Sequence, residues 1–438
     1  MPHIHVIHVG STTNKGTYAL LKSEILQLKK LYKNAEISVS TSDIDTLTRL
    51  EPTLNVYPPL VDIPYERADL EVTRRNRDRE TKLYKFYLFA YTFFMFVQAF
   101  VSIISSVFIK LNLKPIYRSE TLKKLDQADL IISTADENFK EGTLFLPFNL
   151  YWKLASWTML FSRMWDIIIA KRIFRKNIIV FPNSVGPFRT RLGRFMARMA
   201  LNNVDSILLR EPFSGHFVKE LKVKTPTTIT CDIALLLELN QMNSSEVLSK
   251  PAIGVSPGLY ALTLSEDKQE EYVLAHCKTL DYMIEKYDAN IVFLPHEVSG
   301  RKGDDLSLCK IIIQKMEHKE KARILKAKTL EEFESNIAQL DLLISSRMHP
   351  MVLACSVKVP TVLIFYDHKQ TSFFKQLNLG CYTVNINEVT SEKLLSTTEY
   401  AWKQKDDIKK KLELIVPALQ NDVRTKIKEA CLKFLPLT

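Results

Sequence analysis

Short apolar runs alternate with helical patterns along most of this chain, and no other feature limits its fold as much. A run of four or five apolar residues suits a strand buried on both faces, and a helical stretch between two such runs suits a crossover. The alternation therefore predicts parallel sheets covered by helices on both sides, an α/β architecture. In the first half the runs are His3–Val9, Glu36–Ser40, Leu130–Ser133, Asn177–Phe181 and Ser206–Leu209. In the second half they are Ala252–Ser256, Asn290–Leu294, Leu342–Ser345, Thr361–Phe365 and Tyr382–Val384. Two sheets of similar size follow, with the joint in the turn-rich stretch Lys224–Thr230 or Leu239–Pro251.

A length of 438 residues allows two or three domains, and 46% hydrophobic with 25% charged residues excludes a disordered or fibrous chain. The net charge of +11 favours anionic partners without choosing among them. Six cysteines, all in the second half and without short paired spacing, suggest neither a zinc site nor a disulfide framework and are read as reduced. The start MPHIHVIHVG alternates like a strand and lacks the basic and apolar parts of a signal peptide, so a cytoplasmic protein is expected.

Phe86–Ile109 breaks this pattern with 24 uncharged residues, about 36 Å as a helix and long enough to span a bilayer. Its flanks are basic on both sides, with Arg74, Arg75, Arg77, Arg79, Lys82 and Lys85 before it and Lys110, Lys114 and Arg118 after it. That symmetry gives no orientation and argues against a single span. Strand runs lie both before and after the segment, so a crossing would split one sheet between two sides of the bilayer. With its nine aromatics, the segment is expected at an anionic membrane surface, interfacial or re-entrant, with burial against the protein as the alternative. Nucleic acid is not expected, because the basic residues cluster beside this run and not with aromatics along a groove.

Ligands of open α/β sheets bind beyond the carboxyl ends of the strands, and four such ends carry unusual loops. In GSTTNKGTYAL, Asn14, Gly16 and Thr17 open a helix whose free N–H groups could meet an anion, or they form a capped turn. In PNSVGPF, Asn183, Ser184 and Gly186 suit either a close ligand or a structural turn. Arg210 directly follows the run SILL, where either an anion or a salt bridge would explain it. Asp232 in TCDIALLL reads as a helix cap. His296 and Asp304 in the third loop could serve in acid/base work, although His296 could equally be a packing residue. Trp152, Trp157 and Trp165 on one aromatic helix read as packing. The strongest signal is SSRMHP, where an apolar strand delivers Arg347 and His349 just before an apolar helix. Arg offers a planar fork for phosphate or carboxylate, and His titrates near neutrality. The following strand ends in Tyr366, Asp367, His368 and Lys369, which add a cation and a proton carrier to the same edge, or form a solvated loop.

Taken together, NKGTYAL, NSVGPF, REPFS, TCDIALLL and above all SSRMHPMVLACSVKVPTVLIFYDHK resemble the polysaccharide pyruvyl transferase family, across nearly the whole chain apart from the insertion near residues 65 to 125. The resemblance implies two Rossmann-like domains facing a cleft, as in GT-B glycosyltransferases. They would span 1–230, on the acceptor side and carrying a hydrophobic insertion at 83–113, and 231–438, on the donor side and ending in helices. It implies transfer of the enolpyruvyl unit of phosphoenolpyruvate onto sugar hydroxyls of a polysaccharide or lipid-linked precursor as a cyclic ketal. Arg210 and Arg347 would hold the donor's phosphate and carboxylate, and His349 would give the proton. Asn14, Gly16, Ser184 and Gly186 would line the opposing wall, with Asp136, His296 and Lys369 as further substrate contacts. Two departures stand out: Ala135 and Asp136 replace paired glycines, and Thr17 with Tyr18 replaces an acid.

Ketal formation from an enol ether needs a proton delivered to the methylene carbon, a hydroxyl attacking its neighbour and a trianion held still; the histidine suits the first need and the two arginines the last, while the sugar brings the hydroxyl. No metal-ligand spacing is present, so neither metal nor cofactor is expected beyond phosphoenolpyruvate as donor. The rivals are a nucleotide-sugar glycosyltransferase on the same fold and a membrane-associated scaffold without catalysis.

Overall fold

The computed structural model describes residues 1–74, 81–114, 119–142, 150–238, 247–258, 261, 264–298 and 304–437. Its first sheet comprises β1 (His3–Val9), β2 (Glu36–Thr41), β3 (Asn55–Tyr57), β4 (Leu130–Ser133), β5 (Ile178–Asn183), β6 (Ser206–Leu209) and β7 (Thr227–Ile229). The second comprises β8 (Ala252–Ser256), β9 (Asn290–Phe293), β10 (Ala322–Ile324), β11 (Leu342–Ser345), β12 (Thr361–Phe365) and β13 (Thr383–Asn385). All pairings are parallel. The orders are β3-β2-β1-β4-β5-β6-β7 and β10-β9-β8-β11-β12-β13. Each sheet therefore reverses its winding once, between β1 and β4 and between β8 and β11, and a crevice opens at the carboxyl ends there.

The α/β architecture with two parallel sheets is as the alternation predicts. Three strands escape it: β3, β7 and β10 are three-residue edge strands without a fully buried residue, and carry no apolar run. β7 lies inside Lys224–Thr230 and belongs to the first sheet, so the chain crosses to the second sheet only after it. The other stretch, Leu239–Pro251, lies in part outside the described residues. The alternation of β1 also has a different cause from a half-exposed strand. Both its faces are buried, and the polar face is satisfied by hydrogen bonds of the His5 ring to Ser38 and Ser40, at 2.8 and 2.9 Å. Burial, with Lys124 nearby, pushes His5 down to about 3, so it packs as a neutral ring.

The two sheets share one apolar core, which runs from β1, β2 and the helix Lys15–Leu31 through the second sheet and its helices. The final helix, Lys405–Phe434, returns to the first sheet. There Thr230 donates to Asp422 at 3.0 Å, Lys426 to the Ile229 carbonyl at 2.6 Å, and Gln420 to the Leu235 carbonyl at 2.6 Å.

The apolar segment forms a single helix, Lys82–Lys110, capped by Thr81. Its inner face of Tyr84, Met95, Ala99, Ser102, Ser105 and Ser106 is buried. Trp165 donates to Ser102 at 3.0 Å, and Phe96 lies against Phe161. The outer face is exposed, so burial against the protein accounts for only one side of the helix. Lys82, Lys85, Lys110 and Lys114 are exposed at its ends, while Arg75, Arg77, Arg79 and Arg118 lie outside the described residues.

Candidate active site

On the side of the second sheet, the chain leaves β11 through Ser345, whose hydroxyl accepts the Arg347 N–H at 3.1 Å and fixes the turn. This aims the Arg347 guanidinium at Asp305, with Nε 3.0 and 3.1 Å from the two carboxylate oxygens and Nη2 2.5 Å from Oδ1. Nη2 also reaches Glu297 at 3.2 Å. Burial pushes the Asp305 carboxyl up while Arg347 pulls it down. Asp304 has a different role from the acid/base one considered above: it caps the helix Asp305–Lys315, accepting from the Ser307 N–H at 2.9 Å. The residue that meets the arginine is the next one along.

His349 occupies the first turn of the helix Met348–Ser356. Its ring lies directly on the backbone of Gly16, where a Cβ would come within 1.9 Å of Nδ1. Only glycine leaves room for this histidine. Gly16 belongs to the opposite side of the cleft, at the start of the helix that Asn14 caps by accepting the Gly16 N–H at 2.9 Å. Burial lowers the His349 pKa, Asp232 and Asp136 pull it back up, and Arg210 and Lys369 push it down. Its Nε2 is buried and has no partner among the described residues. The His296 ring lies parallel to it at 6.2 Å and edge-on to Phe333. Burial, reinforced by Arg347, holds His296 well below the ordinary range, so it is neutral.

On the side of the first sheet, Arg210 is sealed in at 2% exposure. It donates from Nε to the Ser184 hydroxyl at 2.6 Å and from Nη1 to Asp232 at 3.1 Å, and Glu211 lies at 3.6 Å. Asp232 caps the short turn Ile233–Leu236 as expected, and it is also the counter-ion of Arg210. Gly186 is explained by packing: its φ is +80°, and a Cβ there would strike the Phe217 ring at 2.4 Å. Asn183 holds the neighbouring loop, accepting from the Asn138 N–H and donating to the Thr134 carbonyl, both at 3.0 Å. Lys369 crosses the cleft to Glu137 at 2.5 Å, and Lys140 shares that carboxylate at 2.6 Å.

A cavity of about 450 Å³ opens beside these groups at the carboxyl ends of β1, β2 and β4. Asn14, Thr17 and Asp136 line it, together with Tyr65, Glu66 and Trp152. Trp152 thus faces open space. Trp157 and Trp165 are packing residues, donating to Glu141 and Ser102 respectively. Of the two residues replacing an acid, Thr17 lines the cavity and Tyr18 is buried, donating to Glu51 at 2.8 Å. One trio among the described residues, Glu285, Glu317 and His318, could hold a metal, but it precedes β10 at the amino edge of the sheet, opposite the cleft.

The family model described as polysaccharide pyruvyl transferase matches residues 14–368. The chain belongs to that family. The chain is similar to the amylovoran biosynthesis protein AmsJ of Erwinia amylovora, at 24% identity over 63% of this chain and 65% of AmsJ, just under two thirds of that relative's length. In fold, this polysaccharide pyruvyl transferase family member is similar to UDP-GlcNAc 2-epimerase of Neisseria meningitidis bound to UDP-GlcNAc, with TM-score 0.57, 10% identity and coverage of 99% and 100% of the two chains. It is also similar to Anabaena HepE in complex with UDP and glucose, with TM-score 0.55, 12% identity and coverage of 98% and 100%. These likenesses show a GT-B-type fold.

Several groups at the site give weak or no signals in the sequence. Lys15, inside the NKG motif, lies 5.8 Å over the Phe333 ring, with Asp305 and Glu332 opposing the fall in its pKa that burial causes. Asp305, Glu297 and Glu137 are ordinary acids whose arginine and lysine partners stand 42, 50 and 232 positions away. The double aspartate ending the third loop is the one visible hint, a cap followed by a first-turn acid.

Proposed function

We propose that this protein transfers the enolpyruvyl unit of phosphoenolpyruvate onto two hydroxyls of a sugar, forming a cyclic ketal and releasing phosphate. His349 delivers a proton to the methylene carbon, which becomes a methyl group. One sugar hydroxyl adds to the neighbouring carbon, and the second displaces phosphate from it, each losing its proton. Arg347 and Lys369 hold the donor's anionic groups, Arg210 supports them as a buried charge in the opposing wall, and no metal or cofactor takes part. The acceptor is a polysaccharide or lipid-linked oligosaccharide precursor of an exopolysaccharide, met at the cytoplasmic face of an anionic membrane. Its sugar occupies the cavity beside Trp152 and Asp136.

The observation carrying this reading is the His349 ring wedged on Gly16 with Nε2 buried and without a partner among the described residues, within electrostatic reach of Arg210, Asp136 and Lys369. A ring nitrogen desolvated without a partner is costly unless a substrate completes it. Calorimetry with phosphoenolpyruvate and with UDP- and GDP-sugars tests the donor. Saturable heat with phosphoenolpyruvate alone is expected. Tight binding of a nucleotide sugar with no heat from phosphoenolpyruvate would replace this reading with the glycosyltransferase one, and phosphate release without a sugar ketal by mass spectrometry would also overturn it.

A further inference from the structure

We propose that the outer face of the helix Lys82–Lys110 docks this protein on an anionic phospholipid bilayer, lying along the headgroup boundary without crossing it. The helix is long and apolar enough to span a membrane by length and composition. Its placement forbids that. β3 precedes the helix and β4 follows it, and both belong to the sheet in which β1 pairs with β2 on one side and β4 on the other. The two ends of the helix therefore stay on one side of any bilayer, since no sheet can be threaded through hydrocarbon.

What remains is an amphipathic arrangement of an uncommon kind. Along the outer stripe, Phe86, Phe89, Phe93, Phe96, Phe100 and Val107 are exposed at 64, 76, 62, 56, 68 and 43%. They recur every three to seven residues on the side opposite Met95, Ala99, Ser102 and Ser106. So many exposed aromatics on one stripe mark a surface that meets a partner. Charge decides which partner. From Thr81 to Ser119 the sequence holds no acidic residue, while Lys82 and Lys85 at one end and Lys110 and Lys114 at the other are exposed. A second copy laid along this face, parallel or antiparallel, would set lysines against lysines at both ends. An anionic headgroup layer complements both ends at once and accepts the aromatic stripe between them.

The surface also leads toward the cleft. Tyr84, in the first turn of this helix, meets the Tyr151 hydroxyl at 3.0 Å, and the neighbouring Leu150, Trp152 and Leu154 are exposed. Trp152 lines the cavity. A sugar carried on a lipid would thus reach the acceptor site from the docked edge, a consequence that rests on the transferase reading above. The docking itself does not rest on it.

The experiment is flotation of the full-length protein with vesicles of phosphatidylcholine alone and with about 30% phosphatidylglycerol, beside the triple variant Phe89→Glu, Phe93→Glu, Phe100→Glu. Those side chains already face outward, and an unchanged melting temperature checks the variant's fold. The intact protein is expected to float with the anionic vesicles, to do so less as salt rises, and to lose about tenfold in partitioning in the variant. Added protease should reach residues on both flanks of the helix from the protein side of sealed vesicles. Failure of the intact protein to float, equal flotation of the variant, or protection of one flank would overturn docking. So would a dimer in sedimentation that the variant abolishes. Turnover of a soluble sugar acceptor reads the transferase activity separately. If turnover persists in the variant while flotation is lost, docking and catalysis are distinct, and if turnover is absent in both while flotation persists, the transferase reading alone fails.

Discussion

Arg210 and Arg347 both stand just past a buried strand and both meet carboxylates, yet the cleft treats them differently. Arg347 leaves the strand at the switch point of the second sheet, and one of its two acids, Glu297, lies at the rim with 31% of its side chain exposed. Arg210 follows β6, away from the switch point of the first sheet, and its side chain and both its acids, Asp232 and Glu211, are 1% exposed. A charge that keeps a partly hydrated partner can exchange it for a substrate anion at modest cost. A charge sealed among buried carboxylates is first a structural element, because separating them strands an uncompensated ion. The same residue type in similar places can thus lean toward donor binding on one wall and toward building the wall on the other.

The largest expected effect falls on the group between the two walls. His349→Asn keeps the ring's approximate size and polarity and removes the proton, so kcat should fall by roughly 10² to 10⁴ while phosphoenolpyruvate affinity stays within a few-fold. Steady-state kinetics with calorimetry on the same variant check it, and an equal loss of affinity would make His349 a binding residue. A pH profile sharpens the assignment. Burial lowers the pKa of His349 below 6.5 in the free protein, so as the acid it must be protonated, and kcat/KM should climb as pH falls below 6.5. A bound trianion raises the same pKa, so the corresponding limb in kcat should lie at higher pH.

Next in size is the direct contrast between the arginines. Arg347→Lys should weaken phosphoenolpyruvate binding by about 10- to 100-fold, since a point charge cannot replace the planar fork, and its loosened pairing with buried Asp305 should cost less melting temperature than Arg210→Lys. Arg210→Lys should do the reverse in emphasis, costing several degrees of melting temperature as Ser184 and Asp232 lose a fixed donor. Binding isotherms and thermal melts on both proteins decide it. The comparison breaks if the two variants weaken the donor equally and melt alike.

Strand ends are readable from the sequence alone because parallel strands buried on both faces need unbroken apolar runs, and those runs place Arg210, Arg347 and His349 at the carboxyl edge. Their partners are not readable in the same way. Asp305 and Glu137 gain meaning only from pairings across 42 and 232 residues, and such distances leave no periodic trace. Gly16 reads as part of a helix start that could meet an anion or of a capped turn, and its necessity comes instead from His349, far along the chain, which presses on its backbone. Gly186 suits either a close ligand or a structural turn in the sequence, and Phe217, against which a Cβ there would strike, favours the turn. The short edge strands are invisible because three residues, none of them fully buried, bury too little to need an apolar run.

The smallest expected effect concerns a carboxylate of the first wall bonded only to neutral donors. Glu24 is fully buried beneath the loop after β4, accepting from the Thr134 hydroxyl at 2.9 to 3.0 Å and from the Ala135 N–H. Burial raises its pKa from 4.5 to about 8 despite those bonds. Asp232 and Asp305 have an arginine each, and among the described residues Glu24 has only the Thr134 and Ala135 dipoles. The folded protein therefore keeps a proton on Glu24 that the unfolded chain releases above pH 4.5. Stability falls as pH rises from 4.5 to about 8 and changes no further on this account above that. Glu24→Gln keeps the carbonyl acceptor and abolishes the titration, so its advantage over the native protein should be near zero at about pH 5 and reach roughly 2–5 °C in melting temperature at about pH 8. Melting curves at those two pH values suffice. An advantage that does not grow with pH would mean that Glu24 is ionised in place, held as an anion by the Thr134 hydroxyl and the Ala135 N–H.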